Sequence, residues 1–298
     1  MLREQLQLAT DKAMSEYFGD FSASYGRFRQ VISQLASFDC LMSLRRVAQL
    51  PGYVKATITK ETQITVKNGR HPLGNLTHDY IPNDITLHVD RNKCLIVTGP
   101  NMGGKSSYIR QIATLLVMVQ VGSFVPADAA SIGLFDGIYA RMGASDDIAR
   151  GASTFMTELG ETSEILKRAT PRSLVILDEL GRGTSTHDGM AIAHATLCHL
   201  IQHVKCFTLF VTHYPSLCTI PKELGMTDQI RNVHMGYLEE NGDVIFLYKV
   251  IDGVASRSYG LNVAKLARLP LSVRDEAAVA SKEIEMAIRA KQCLTSDA

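Results

Sequence analysis

The chain has 298 residues, 46% of them hydrophobic and 20% charged, with a formal net charge of +1. That length suffices for one large α/β domain with a smaller attachment, and the composition is that of an ordinary soluble globular protein. Near-neutrality excludes a global attraction to nucleic acid or anionic membrane, so such a partner must be met through a local patch or another chain.

The opening MLREQLQLATDKAM has neither an apolar h-region nor a cleavage site, and reads as the middle of a helix cut from something longer. Residues 1–18 and 24–48 read as two amphipathic helices. The second has Phe28, Val31, Ile32, Leu35 and Phe38 on one stripe, the pattern of a core-facing surface. Leu50-Pro51-Gly52 breaks the pattern. Residues 53–72 then alternate polar with β-branched residues, as edge strands do, and Lys55, Lys60, Lys67 and Arg70 read as a solvated face. From about 80 to 262, the strand-like runs CLIVTG, GIYARM, SLVILDE, FTLFVTHY and VIFLYKVI are separated by helical stretches, which predicts an α/β sheet with a partly parallel core. Asn241-Gly242-Asp243 is a hairpin signal. Beyond Tyr259-Gly260 two helices are expected, split near Pro270. The six cysteines, Cys40, Cys94, Cys198, Cys206, Cys218 and Cys293, have no zinc spacing and fit reduced thiols of a cytosolic or nuclear protein.

The stretch TGPNMGGKSS, residues 98–107, has the spacing Gly, any four residues, Gly-Lys-Ser, between a buried-strand run and a helical run. Gly99, Gly103 and Gly104 let the backbone turn several N–H groups inward, and the following helix N-terminus adds partial positive charge. Lys105 would reach the β and γ phosphates of a nucleotide, and the Ser106 hydroxyl would ligate Mg2+. The apolar run Ile112 to Val119 is eight residues long. A bilayer needs roughly twenty, so the run is a core helix and no membrane partner is expected.

The run SLVILDE, 173–179, supplies the apolar strand ending in an acid that such a loop requires. Asp178 is the metal-side acid, and Glu179 is placed to accept a proton from an attacking water. A third strand ends in Thr212-His213. A lone histidine there is often surface decoration, but its order after the acid strand suits a group that donates to the γ-phosphate.

Together GPNMGGKSSYIRQ, GASTFMTELGET, LVILDELGRGTSTHDG, FVTHY and ASRSYGLNVAKLA resemble the ATPase region of the MutS family of DNA mismatch repair proteins, over about residues 70–285. Within the family, His187-Asp188-Gly189, Ser107 and the YIPND run at 80–84 look most like the eukaryotic homologue that joins a second homologue to recognise insertion/deletion loops. The resemblance implies an α/β P-loop NTPase of the ABC-type superfamily with N-terminal lever and core helices and a C-terminal helical dimerisation element. Its segments would be 1–50, 51–262 and 263–298.

It also implies ATP and Mg2+ as ligands, a nucleotide loop of Gly99, Pro100, Asn101, Met102, Gly103, Gly104, Lys105, Ser106 and Ser107, and a composite site completed by Ser153 of a second subunit. By composition alone, Ser153 in GASTF is a helix N-cap. Tyr80 falls where relatives set an aromatic ring against adenine, although packing ahead of Pro82 would equally explain it. Residues 181–185, GRGTS, resemble an interface loop. The implied partners are a second MutS homologue, mismatched or looped DNA through other domains, and MutL-type proteins, in the nucleus. A transporter ATPase should carry an LSGGQ-like signature, and a coiled-coil chromosome ATPase long heptads between its nucleotide motifs. Neither is present: fewer than eighty residues separate Lys105 from Asp178. A nucleotide-binding dimerisation module with little turnover of its own is the alternative that remains.

Overall fold

The computed structural model describes residues 1–74, 80–143, 154–240, 243–255, 262, 264–265, 267–281 and 283. Its centre is a six-stranded sheet built from β5 (Cys94–Thr98), β8 (Gly137–Arg141), β9 (Ser173–Asp178), β10 (Phe207–Val211), β11 (Ile230–Glu240) and β12 (Asp243–Asp252), in the order β12-β11-β5-β10-β9-β8. All neighbours are parallel except β11 and β12. Parallel strands covered on both faces need apolar side chains on both, and β5, β9 and β10 are buried along their whole lengths.

On one face, α2 (Lys105–Gln120) lays Ile109, Ile112, Leu115 and Leu116 against Leu95, Val97, Leu174 and Leu209. A four-stranded sheet of β2 (Thr57–Thr59), β3 (Gln63–Gly69), β4 (Asn83–His88) and β7 (Ala129–Gly133) joins that core through Ile64, Val66, Ile85, Leu87 and Ile132. The strands β1 (Tyr53–Val54) and β6 (Val125–Pro126) pair beside it. On the other face, Ile165 of α3 (Thr154–Arg168), Ala193 and Leu197 of α4 (Thr186–His199), and Leu200 of the following π-helical turn cover Ile96, Val175, Leu177 and Phe210. Burial of each such large side chain contributes about 1.5–3 kcal/mol against exposure. The two cores fix the carboxyl ends of β5, β9 and β10 side by side.

Three expectations are corrected. The N-terminal region is one helix, α1 (Leu2–Ala48), not two. Gly19 and Gly26 lie inside it; a glycine costs only about 1 kcal/mol against alanine, which weakens a helix without ending it. The stripe Phe28, Val31, Ile32, Leu35 and Phe38 is not core, for all five are 49–65% exposed and no residue of α1 is buried. Arg70 is half-buried rather than part of a solvated face, donating to the Gly52 carbonyl at 2.6 Å, while Lys55, Lys60 and Lys67 are exposed.

The hairpin is present as antiparallel pairing up to Glu240 opposite Asp243, with Asn241 and Gly242 outside the described residues. A helix covers 271–281, starting after Pro270 as expected; of the preceding expected helix, Asn262, Ala264 and Lys265 are helical, with 261, 263 and 266 outside the described residues. Among the described residues no helix is long and apolar enough to cross a membrane.

Candidate active site

The loop from Gly99 to Gly104 joins the end of β5 to the first turn of α2. Gly99 and Gly104 have φ of +130° and +98°, and a Cβ at Gly99 would meet the Met235 backbone nitrogen at 3.1 Å. The glycines are therefore required by backbone conformation and by the approach of β11. Lys105 is 4% exposed, and its ammonium donates to the Gly99 and Pro100 carbonyls at 2.9 and 3.1 Å. Burial lowers its pKa, and the nearby Glu179 and Asp178 carboxylates oppose that shift.

The Ser106 hydroxyl donates to Asp178 Oδ2 at 2.8 Å. The other carboxylate oxygen, Oδ1, is buried without a hydrogen-bond partner, and burial raises the Asp178 pKa. A buried oxygen with no donor, beside a hydroxyl and a carboxylate, is a hard-ligand set that fits Mg2+. Such an ion would relieve the desolvation of Asp178.

One residue on, Glu179 leaves the strand in the left-handed region with φ of +58°. Its backbone N–H still donates to the Val211 carbonyl at 3.0 Å, so it remains tied to β10 while its side chain turns along the sheet edge. There Oε1 accepts from His213 Nε2 at 2.5 Å and Oε2 accepts from Arg182 Nη1 at 2.5 Å. The hydrogen bond from His213, with the charges of His213 and Arg182, holds the Glu179 carboxyl down at about 2, against the ordinary 4.5. A depressed carboxyl stabilises the fold above its unfolded pKa and loses that contribution as pH falls to the folded one. Unfolding measured between about pH 4.5 and 2 is therefore expected to show a loss of stability that Glu179→Gln abolishes. An identical acid slope in the two proteins would contradict the cluster.

Tyr80, Asn83, Asn101, Lys105, Ser106, Ser107 and Tyr248 line a cavity of about 390 Å³ over the loop. The Tyr80 hydroxyl donates to Gln111 Oε1 at 2.7 Å, and its ring packs so closely on Gly74 that a Cβ there would meet Cδ2 at 2.3 Å. The Tyr80 ring therefore packs on Gly74 and also lines the cavity.

Tyr248 was not legible in the sequence. It sits in β12 with φ of +52°, and a Cβ on Gly104 would lie 3.3 Å from its ring. Asn83 holds this place, donating to the Tyr248 carbonyl at 2.9 Å and accepting from the Val250 N–H at 2.8 Å. The only signal was the asparagine of YIPND, which has no meaning until β4 and β12 are brought together. A neighbouring cavity of about 290 Å³ is lined by Asn101, Glu179, Arg182, Thr184 and His213, among others. Ser153 and residues 144–152 lie outside the described residues, and α3 begins at Thr154.

A strand-loop-helix turn of phosphate-cradle form, a histidine just past the adjacent strand β10 and an acid pair at the end of β9 beyond it are the arrangement of a P-loop ATPase. A family profile described as MutS domain V matches residues 95–285. The chain is 52% identical over 294 residues to the DNA mismatch repair protein MSH3 of Coccidioides immitis, covering 97% of this chain and 26% of that one. It is 50% identical to the msh3 protein of Botryotinia fuckeliana, covering 98% of this chain and 28% of that one. To the msh3 protein of Aspergillus niger it is 49% identical, with 97% and 26% covered. The chain belongs to the MutS family and contains its domain V, an ATPase domain. It spans about a quarter of the length of these relatives.

Proposed function

We propose that the site hydrolyses ATP with Glu179 as general base, and that ATP binding and hydrolysis act as a conformational switch between two subunits. The supporting observation is the placement of Glu179: it follows the Ser106–Asp178 pair directly, borders the nucleotide cavity, and is aimed by His213. Lys105 exchanges the two loop carbonyls for the phosphate chain, helped by the backbone N–H groups of residues 99–104, with Asn101 and Ser107 at the rim. The adenine base lies between Tyr80 and Tyr248.

Ser106 and Asp178 would hold Mg2+, which when bound neutralises phosphate charge. With both its oxygens occupied, Glu179 is a weak base. Oε2 becomes free to take a proton from water when Arg182, 70% exposed at its side chain, turns away. His213 keeps the other oxygen aimed and donates toward developing charge.

Ser153 of the opposite subunit completes the site in this reading, and the loop 181–185 meets that subunit. The partner is a second MutS homologue, mismatched or looped DNA is engaged through other domains, and MutL-type proteins respond, in the nucleus. Residues 1–50 are the end of the lever and core helices, 51–262 the ATPase domain and 263–298 the helical dimerisation segment. Each rests on family likeness.

Equilibrium ATP binding and phosphate release, measured with and without the second homologue, test the reading. Binding by the chain and turnover stimulated by the partner are expected; absence of ATP binding would refute it. In the same assay Tyr80→Ala is expected to weaken ATP by about 1 kcal/mol, roughly fivefold, through the lost face of the base. Unchanged affinity would assign Tyr80 to packing alone.

A further inference from the structure

Gly181 stands two residues beyond Glu179, and its backbone is gripped from two directions. Its N–H donates to Glu158 Oε1 at 2.8 Å, and its carbonyl accepts from the Tyr214 hydroxyl at 2.9 Å. The residue has φ of +91°, and a Cβ on it would lie 2.3 Å from the Gly189 carbonyl oxygen in the first turns of α4. A Cβ on Gly189 would in turn lie 2.1 Å from the Gly181 oxygen and 2.7 Å from the Tyr214 hydroxyl. No slack remains at this crossing.

The two gripping side chains come from elements with other duties. Glu158 is one turn along α3 from Thr154 and only 5% exposed. Its second oxygen faces Arg141 of β8 at 3.7 Å, and that guanidinium, itself 6% exposed, also faces Glu161 at 3.6 Å. Tyr214 directly follows His213. Burial and the nearby Glu158 carboxylate raise its hydroxyl pKa, so it stays protonated and able to donate. Phe155, also on α3, sits where a Cβ on Gly183 would meet it at 3.1 Å. A buried carboxylate and guanidinium are costly to desolvate, and apolar residues of similar size generally serve stability as well or better. What this pair supplies that apolar residues cannot is an acceptor for the Gly181 N–H.

We propose that Glu158 and Tyr214 are positioning residues for ATP hydrolysis, which clamp Gly181 so that α3 and the end of β10 together set the place of the Glu179 carboxylate. The proposal rests on Glu179 being the base. Its consequence is mechanical: a displacement of the first turn of α3 reaches the base through Glu158 and Gly181, without contact between α3 and nucleotide.

The test uses Tyr214→Phe, which removes one hydroxyl, together with Glu158→Gln, Glu158→Ala and Glu179→Gln, in the full-length protein in the complex that turns over ATP. Single-turnover hydrolysis, ATP affinity and thermal midpoint are measured for each. Tyr214→Phe is expected to slow the single turnover by about tenfold or more, since a misplacement of around 1 Å can cost about a hundredfold, with ATP affinity and midpoint unchanged. Glu158→Ala should slow it further. Glu158→Gln, which keeps an oxygen for the Gly181 N–H, should restore much of the rate, and combining Glu158→Ala with Tyr214→Phe should cost less than the product of the two. Wild-type single-turnover rates in Tyr214→Phe and Glu158→Ala, with Glu179→Gln inactive, would overturn the clamp and leave the base standing. A wild-type rate in Glu179→Gln would overturn the base itself, and the clamp with it.

Discussion

Glu179→Gln is expected to bind ATP as the unaltered protein does and to hydrolyse it about 10²–10⁴-fold more slowly, the usual contribution of a positioned general base. The amide keeps an oxygen for His213 or Arg182, so the local fold persists, but it cannot accept the proton that the attacking water must lose. An effect confined to the chemical step is the signature of a group that matters only in the transition state. Rapid-quench hydrolysis beside equilibrium binding checks it. Parallel loss of affinity and rate would mean that Glu179 serves to build the loop.

Lys105→Ala is expected to do the reverse and weaken ATP binding itself. Lys105 is 4% exposed at the start of α2, and in the proposed function its charge would meet the phosphates in the ground state. A hydrogen bond to a charged group contributes about 1.5–3 kcal/mol, so affinity should fall by roughly 10- to 150-fold. Because the ammonium also ties down the Gly99 and Pro100 carbonyls, Lys105→Met, which keeps most of the side-chain volume, separates lost charge from a loosened loop. Unaltered affinity in Lys105→Met would remove the lysine from phosphate binding.

These residues could be read from sequence because their chemistry depends on spacing along one chain segment. Gly99 to Ser106 specify a turn and a helix start without reference to anything distant, and Asp178-Glu179 end a run that can only be a buried strand. What escaped was set by tertiary contact. Tyr248 reaches the cavity only because Asn83 pins β12 from another sheet, and the Glu158–Gly181–Tyr214 clamp joins three elements far apart in sequence. The continuity of α1 escaped for a different reason. Two glycines weaken a helix without ending it, and amphipathic spacing marks an apolar stripe whether or not anything in the same structure covers it. Strand β11 was missed because Arg231, His234 and Gly236 interrupt its apolar pattern, although it pairs with β5 beside the phosphate loop.

The central claim, a switch whose ATP site belongs to two subunits, is tested most directly by mixing two inactive chains. Lys105→Ala retains Ser153 but cannot hold ATP well, and Ser153→Ala holds ATP but lacks the hydroxyl offered across the interface. A dimer of one of each has one intact composite site. The account predicts that phosphate release reappears on mixing and rises with protein concentration, as mass action drives association. Where the chain pairs with a different homologue, Ser153→Ala should instead slow the partner's site while its own continues. A mixture shown by sedimentation to contain dimers, yet no more active than its components, would contradict the account and leave Ser153 as a helix cap contributing about 1 kcal/mol.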